Sequence, residues 1–178
     1  NPAITTVTHR NFNRIDNFSA FLTASPAVGS WHPQLTVGVQ KQWAKIEHNG
    51  ETLQMDTPLF FCTLNNGIQL PYHWTLSTDI NFQSKGDYQN IYMYQNVFMM
   101  NATLTKSFLN EHLSIHLQGI DLTHGRKDGN RIYNKHMNMD VANVSDSREL
   151  RFTIRYKFNT AKSKYKGKGA AAEEIKRL

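Results

Sequence analysis

From residue 150 to residue 158 the chain alternates without a break. Leu150, Phe152, Ile154, Tyr156 and Phe158 are interleaved with Arg151, Thr153, Arg155 and Lys157. Successive side chains of an extended backbone point to opposite faces, so this stretch reads as a β-strand with one apolar and one polar face. The same period recurs upstream. Trp74, Leu76, Thr78, Ile80 and Phe82 alternate with residues that include Asp79 and Asn81. Phe98, Met100, Ala102 and Leu104 form a third series, Leu113, Ile115 and Leu117 a fourth, and Leu35, Val37, Val39 and Trp43 a fifth, which Lys41 interrupts. The pattern predicts strands at 3–9, 15–25, 34–46, 58–68, 73–85, 94–107, 112–123 and 147–158. No helix is expected before residue 170.

Soluble sheets alternate too, so length and connections decide between fold classes. Several of these strands are longer than the 5–6 residues usual in soluble sheets. A tilted membrane crossing needs about 9–11. From residue 47 onward, short turns (69–72, 108–111) alternate with long polar connections (47–57, 86–93, 124–146), as on the two sides of an outer-membrane barrel. The 26–33 connection belongs with the short class although it is longer, and 10–14 with the long class although it is short. Aromatic residues gather near strand ends, at Trp43, Tyr72, Trp74, Tyr92, Tyr94, Tyr156 and Phe158, where interfacial girdles lie. The expected fold is all-β: an antiparallel transmembrane β-barrel segment of about eight strands. Two alternatives stay open, a soluble all-β carbohydrate-binding sandwich and a complete small eight-stranded barrel, whose interior side chains would fill.

Charge and cysteine narrow the function. Of the net +6, residues 159–178 contribute +4 through six Lys/Arg against two Glu, leaving +2 for the other 158 residues. Basicity that lies mostly in a tail reads as a solvated extension, not a nucleic-acid surface, and no nucleic-acid partner is expected. The lone Cys62 excludes an internal disulfide or a thiolate cluster. No window approaches 18 consecutive apolar residues, so no transmembrane helix is expected, which leaves barrel strands untouched. The chain begins Asn1-Pro2 without a leader, and it is expected to be a processed product or a piece of a longer polypeptide. Its organisation reads as 1–158, barrel, and 159–178, a basic, mostly disordered periplasmic tail.

Ser147-Arg148-Glu149-Leu150-Arg151-Phe152-Thr153-Ile154-Arg155-Tyr156-Lys157-Phe158-Asn159 resembles the final strand of TonB-dependent receptors and of the related plug-bearing outer membrane β-barrel family. Leu104 through Ile115 is similar to the family's last periplasmic turn and the strand rising from it. Gly119-Ile120-Asp121-Leu122 matches only in part an Asn-Leu-Phe-Asp signature of many receptors. The resemblance implies a Gram-negative outer-membrane location and a full barrel of 22 strands around a plug, of which this chain would be the C-terminal third. It implies transport: the chain would form the wall of a nutrient uptake channel in a receptor. It also implies that Leu150, Phe152, Ile154, Tyr156 and Phe158 are read by the outer-membrane assembly machinery. In the family the chain usually ends at that aromatic position, whereas 20 residues follow Phe158 here. Coupling to an inner-membrane energy complex would run through upstream domains, since neither a plug nor a coupling box is visible.

Other candidate sites weigh less. Arg151, Thr153, Arg155, Lys157, Asp79 and Asn81 are expected to face the lumen, and the apolar series the outer-membrane lipid. Arg126, Lys127, Asp128, Arg131 and Lys135 in the 124–146 loop are the best candidates for contact with an extracellular ligand. Tyr88, Tyr92 and Tyr94 read as an interfacial belt, with stacking on a sugar as the alternative. His112 and His116 would share a strand face about 13 Å apart, too far for one ion. His124 and His136, with Asp121 and Asp140, read as solvated loop polars. No catalytic arrangement has motif support, Cys62 reads as a small apolar side chain, and neither enzyme activity nor a cofactor is expected.

Overall fold

The computed structural model describes residues 14–144 and 146–158, so the expected strand 3–9 and the tail beyond 158 lie outside the described residues. Among the described residues there are twelve strands: β1 (Ile15–Ala24), β2 (Trp31–His48), β3 (Glu51–Met55), β4 (Leu59–Leu70), β5 (Trp74–Gln83), β6 (Gly86–Tyr88), β7 (Ile91–Met93), β8 (Val97–Phe108), β9 (Leu113–Ile120), β10 (Lys127–Tyr133), β11 (Asn138–Val144) and β12 (Glu149–Tyr156). One 3-10 turn, Pro71–His73, joins β4 to β5.

Seven long strands form the wall in the order β1-β2-β4-β5-β8-β9-β12, each antiparallel to the next, with β3 added against the far end of β2. Register carries the apolar face across the sheet without a slip. Leu22 pairs with Val37, Val37 with Cys62, Cys62 with Phe82 and Phe82 with Phe98. Farther down, Leu76 pairs with Leu104, Leu104 with Leu117 and Leu117 with Phe152. One slipped residue would turn every apolar side chain of a strand to the other face, so this continuity is what the alternation specifies. The opposite face is polar in the same rows, as in Asn65–Asp79–Asn101 and Thr105–His116–Thr153. Among the described residues, β1 and β12 are each paired along one edge only, and the sheet does not close on itself.

The two ends differ. At one end lie short turns: 25–30, tied by a bridge between Val28 and Trp31; Pro71–His73; and 109–112. Left-handed backbone at Tyr72 and His73, and at Leu109, Asn110 and Glu111, makes two of these reversals tight. Trp31, His32 and Pro33 belong to β2, which shortens the expected 26–33 connection to six residues.

At the other end three connections expected to be irregular loops contain strands. β2 runs on to His48, turns at Asn49-Gly50 (φ 52° and 83°) and returns as β3. That dipeptide is the favoured two-residue hairpin turn, because both positions need positive φ. The 86–93 connection holds β6 and β7, and 124–146 holds β10 and β11, which join in a second sheet of order β11-β10-β7-β6. Expected strand ends therefore shift: Tyr94 and Asn96 precede β8, and β9 stops at Ile120, before the left-handed Asp121.

Little of the molecule is buried. The apolar core comprises Ala44, Met55 and Leu59, where the β2–β3–β4 end meets β6. On β12, by contrast, Leu150, Phe152 and Ile154 are 76, 62 and 61% exposed. A sandwich would have to cover that face with a second apolar sheet, and the small loop sheet instead stands at the end of the wall, bonded to β2 and β5 rather than across their apolar face.

Candidate functional site: the mouth at the loop end

The loop sheet is built by hydrogen bonds between connections that are distant in sequence. β7 and β10 pair through Met93–Asn130, Tyr92–Arg131 and Ile91–Ile132. Gln42, 2% exposed at the upper end of β2, clamps the turn between β6 and β7. Its Nε2 donates to the Gln89 carbonyl (2.8 Å) and its Oε1 accepts from the Gln89 N–H (2.6 Å). The β2–β3 hairpin tip holds the β10–β11 turn. His48 Nδ1 lies 2.6 Å from the Asn134 carbonyl, the Asn49 N–H donates to the Lys135 carbonyl (2.7 Å), and Lys135 pairs with Glu47 at 3.0 Å. The buried Asp87 accepts from the Thr57 N–H (2.8 Å), and the Asp87 N–H donates to the Thr57 carbonyl (2.9 Å), fastening β6 to the β3–β4 connection. Three connections thus become one unit.

Asp121 fastens that unit to the wall. Its carboxylate accepts from the backbone N–H groups of Gly125 (2.8 Å) and Arg126 (3.2 Å), from the Thr123 hydroxyl, and from Ser147, which leads into β12. Its own N–H donates to Asn101 on β8 (2.9 Å). Burial by itself would raise the Asp121 carboxyl, but the Ser147, Gly125, Arg126 and Thr123 donors outweigh it and hold the group below its ordinary value. The segment after Asp121 lies flat against β8. Thr123 Oγ1 donates to the Phe98 carbonyl at 2.8 Å, and a Cβ on Gly125 would stand 1.6 Å from that same oxygen, so only glycine fits there.

Between the wall and this unit a cavity of 510 Å³ opens on the polar face. Gln83, Val97 and Met99 supply the wall side, and Met93, Gln95 and Asn130 the loop side, with Arg126 and Gly129 completing it. Gln83 Nε2 donates to Met93 Sδ at 2.7 Å, bridging the two sides. The Tyr94 ring occupies the space a Gly129 side chain would need, its Cε2 only 2.5 Å from an added Cβ. The lining mixes apolar surface, neutral amides and one guanidinium. It can bury part of a small solute, hydrogen-bond its polar groups and neutralise one negative charge.

The structure separates the five loop residues singled out by sequence. Arg126 lines the cavity. Arg131 is committed to Asp140 by two hydrogen bonds (2.6 and 3.0 Å), which raise the guanidinium pKa and lower that of the carboxyl. Lys135 is committed to Glu47. Lys127 and Asp128 lie on β10. Tyr88 and Tyr92 sit in the loop sheet, on β6 and β7. His112 falls in a turn rather than on the strand of His116, whose two ring nitrogens each lie 3.0 Å from a hydroxyl, of Thr105 and Ser114. Asp79, Asn81, Arg151, Thr153 and Arg155 all fall on the polar face by register, and Lys157 follows the end of β12. Arg151 is held to Glu149 at 2.9 Å. Gln42, Gln83, Gln95 and Asn130 carried no signal, since a single amide in a polar connection has no spacing to mark it. The Asn49-Gly50 pair did carry one, for the hairpin that holds the β10–β11 turn.

A continuous apolar face with exposed Phe152 and Ile154, a polar opposite face, and polar structure beyond one end are together what lipid on one side and water on the other require. No curated protein and no solved structure matches the chain. The sequence model of the outer membrane protein β-barrel family matches residues 1–156, and the chain accordingly belongs to that family and to the outer membrane.

Proposed function

We propose that the chain forms part of the wall and extracellular mouth of a wide, non-enzymatic uptake channel of the TonB-dependent receptor type. The open wall carries this reading: among the described residues seven long strands pair in order, yet β1 and β12 do not meet. The polar face supports it. Thr, Ser, Asn and Gln dominate that face in Thr63, Asn65, Ser77, Asn81, Thr103 and Gln118. Such side chains suit a wet lumen or the surface of a plug better than the filled interior of an eight-stranded barrel. With the short turns periplasmic, the 510 Å³ cavity lies on the lumen side of the extracellular mouth, a fitting first stop for a small amphipathic solute with an anionic group for Arg126. The exposed series Leu150, Phe152, Ile154, Tyr156 and Phe158 is the surface for the assembly machinery, and energy coupling runs through other parts of the full-length protein.

The test is to refold residues 1–178 alone into lipid vesicles beside the full-length protein. A wall segment gives no heat-resistant, protease-protected barrel by itself, whereas the full-length protein does. A protected barrel from the segment alone would establish a complete small barrel, with residues 3–9 as its eighth strand, and end the receptor reading.

A further inference from the structure

On the lipid face, near the short-turn end, a groove of 320 Å³ runs between strands β5, β8, β9 and β12. Trp74, Leu104, Phe108, Ile115, Leu117 and Phe152 line it, and Lys106 stands among them. By register, Lys106 is the single cation on the lipid face of these four strands: its row is Trp74–Lys106–Ile115–Ile154. A charge is costly in hydrocarbon unless its side chain reaches the interface. Lys106 does so, its Nζ donating to the Tyr72 carbonyl in the turn below. The ammonium also lies 5.1 Å from the centroid of the Trp74 ring and 5.4 Å from that of Phe108. These aromatics mark headgroup depth. An ammonium has three donor positions, and the Tyr72 carbonyl uses one. Among the described residues no carboxylate pairs with it.

We propose that this groove binds one glycerophospholipid of the periplasmic leaflet, its phosphate on Lys106 Nζ and one acyl chain laid along Leu104, Leu117 and Phe152. Two observations select this occupant over any lipid passing the wall. The groove leads from headgroup depth toward the middle of the apolar band, as an acyl chain does. An unpaired cation with spare donors stands at its head, where a phosphate sits, and a charge-assisted hydrogen bond there holds the lipid in one place. Near the groove, Glu111 in the 109–112 turn is matched by Lys157 after β12, so no net negative charge from this pair opposes an anion.

The test is native mass spectrometry of the full-length protein released from nanodiscs of phosphatidylglycerol, with folding of each variant checked by heat resistance. The wild type should retain one lipid. Lys106→Gln should lower that retained fraction roughly tenfold, the loss expected for one charge-assisted contact. Lys106→Arg should keep it, and so should Lys41→Gln, which removes a lipid-face lysine elsewhere on the wall. Diacylglycerol with the same chains should not be retained. Equal retention by Lys106→Gln, or of diacylglycerol, overturns the site. If Lys106→Gln does not fold, Leu117→Trp, which fills the groove and keeps the lysine, is read instead, and wild-type retention by that variant overturns it equally.

Discussion

The Phe21 ring lies over Gly38 on the lumen face, so close that a Cβ added to the glycine would stand 2.2 Å from the ring. Phe61, the strand partner of Gly38 on the other side, approaches the same ring at 6.3 Å between centroids. The glycine leaves a hole in the pleat that the aromatic covers. Because Phe21 is an exposed side chain, it can swing away. Gly38→Ala should therefore cost about 1 kcal/mol or less in a chemical melt of the full-length barrel.

Gly125→Ala should behave differently. Its added Cβ would meet the backbone oxygen of Phe98 at 1.6 Å, and backbone cannot rotate aside. The barrel should still form, while the segment after Asp121 detaches from β8. Limited proteolysis of intact cells should then cut within residues 121–148 at least tenfold faster than in Gly38→Ala. Equal rates in the two variants would disprove the packing of that segment on β8.

The Asp121 carboxyl titrates below its ordinary value of 3.8 when folded, so its hydrogen bonds contribute stability fully above that pH. The contribution is lost as pH falls through the lower, folded value. Protection of the Gly125 and Arg126 amides, corrected for the intrinsic pH dependence of exchange, should be high at neutral pH and fall as the pH drops below 3.8. Asp121→Asn should give fast exchange at every pH, a local loss of about 2 kcal/mol.

The faces of β12 are testable directly. Ile154→Arg places a charge in lipid and should cost roughly 2–4 kcal/mol, seen as failed insertion into vesicles. Thr153→Arg faces the lumen beside His116 and should insert normally.

Topology can be read by labelling. An epitope at Gly50, a hairpin tip with nothing within 4 Å of an added Cβ, should be reachable by antibody on intact cells. One at Asn110 should require permeabilisation. Gly129, although also in a loop, is a poor insertion point, because the Tyr94 ring fills the space beside it.

The wall was legible in the sequence because each strand has to separate lipid from water, and that demand writes itself residue by residue, as in Leu150 to Phe158. The polar connections answer to no such demand. Ile91, Tyr92 and Met93 are strand-forming residues, but β7 is three residues long, and besides its hairpin partner β6 it pairs with Asn130–Ile132, far along the chain. Gln42 is one more polar residue on the alternating face of β2. Its role depends on Gln89, and nothing local joins the two. Arg126 and Arg131 were indistinguishable as loop cations until Asp140 proved to hold one of them.

The mouth sheet draws one hairpin from the connection between β5 and β8 and another from that between β9 and β12, and the tip of the β2–β3 hairpin braces them. Exchanging any one of these connections alone would unpair the others. A graft that moves the specificity of this mouth onto another barrel must therefore carry all three together, with Gln42 and Asn101 from the strands beneath them.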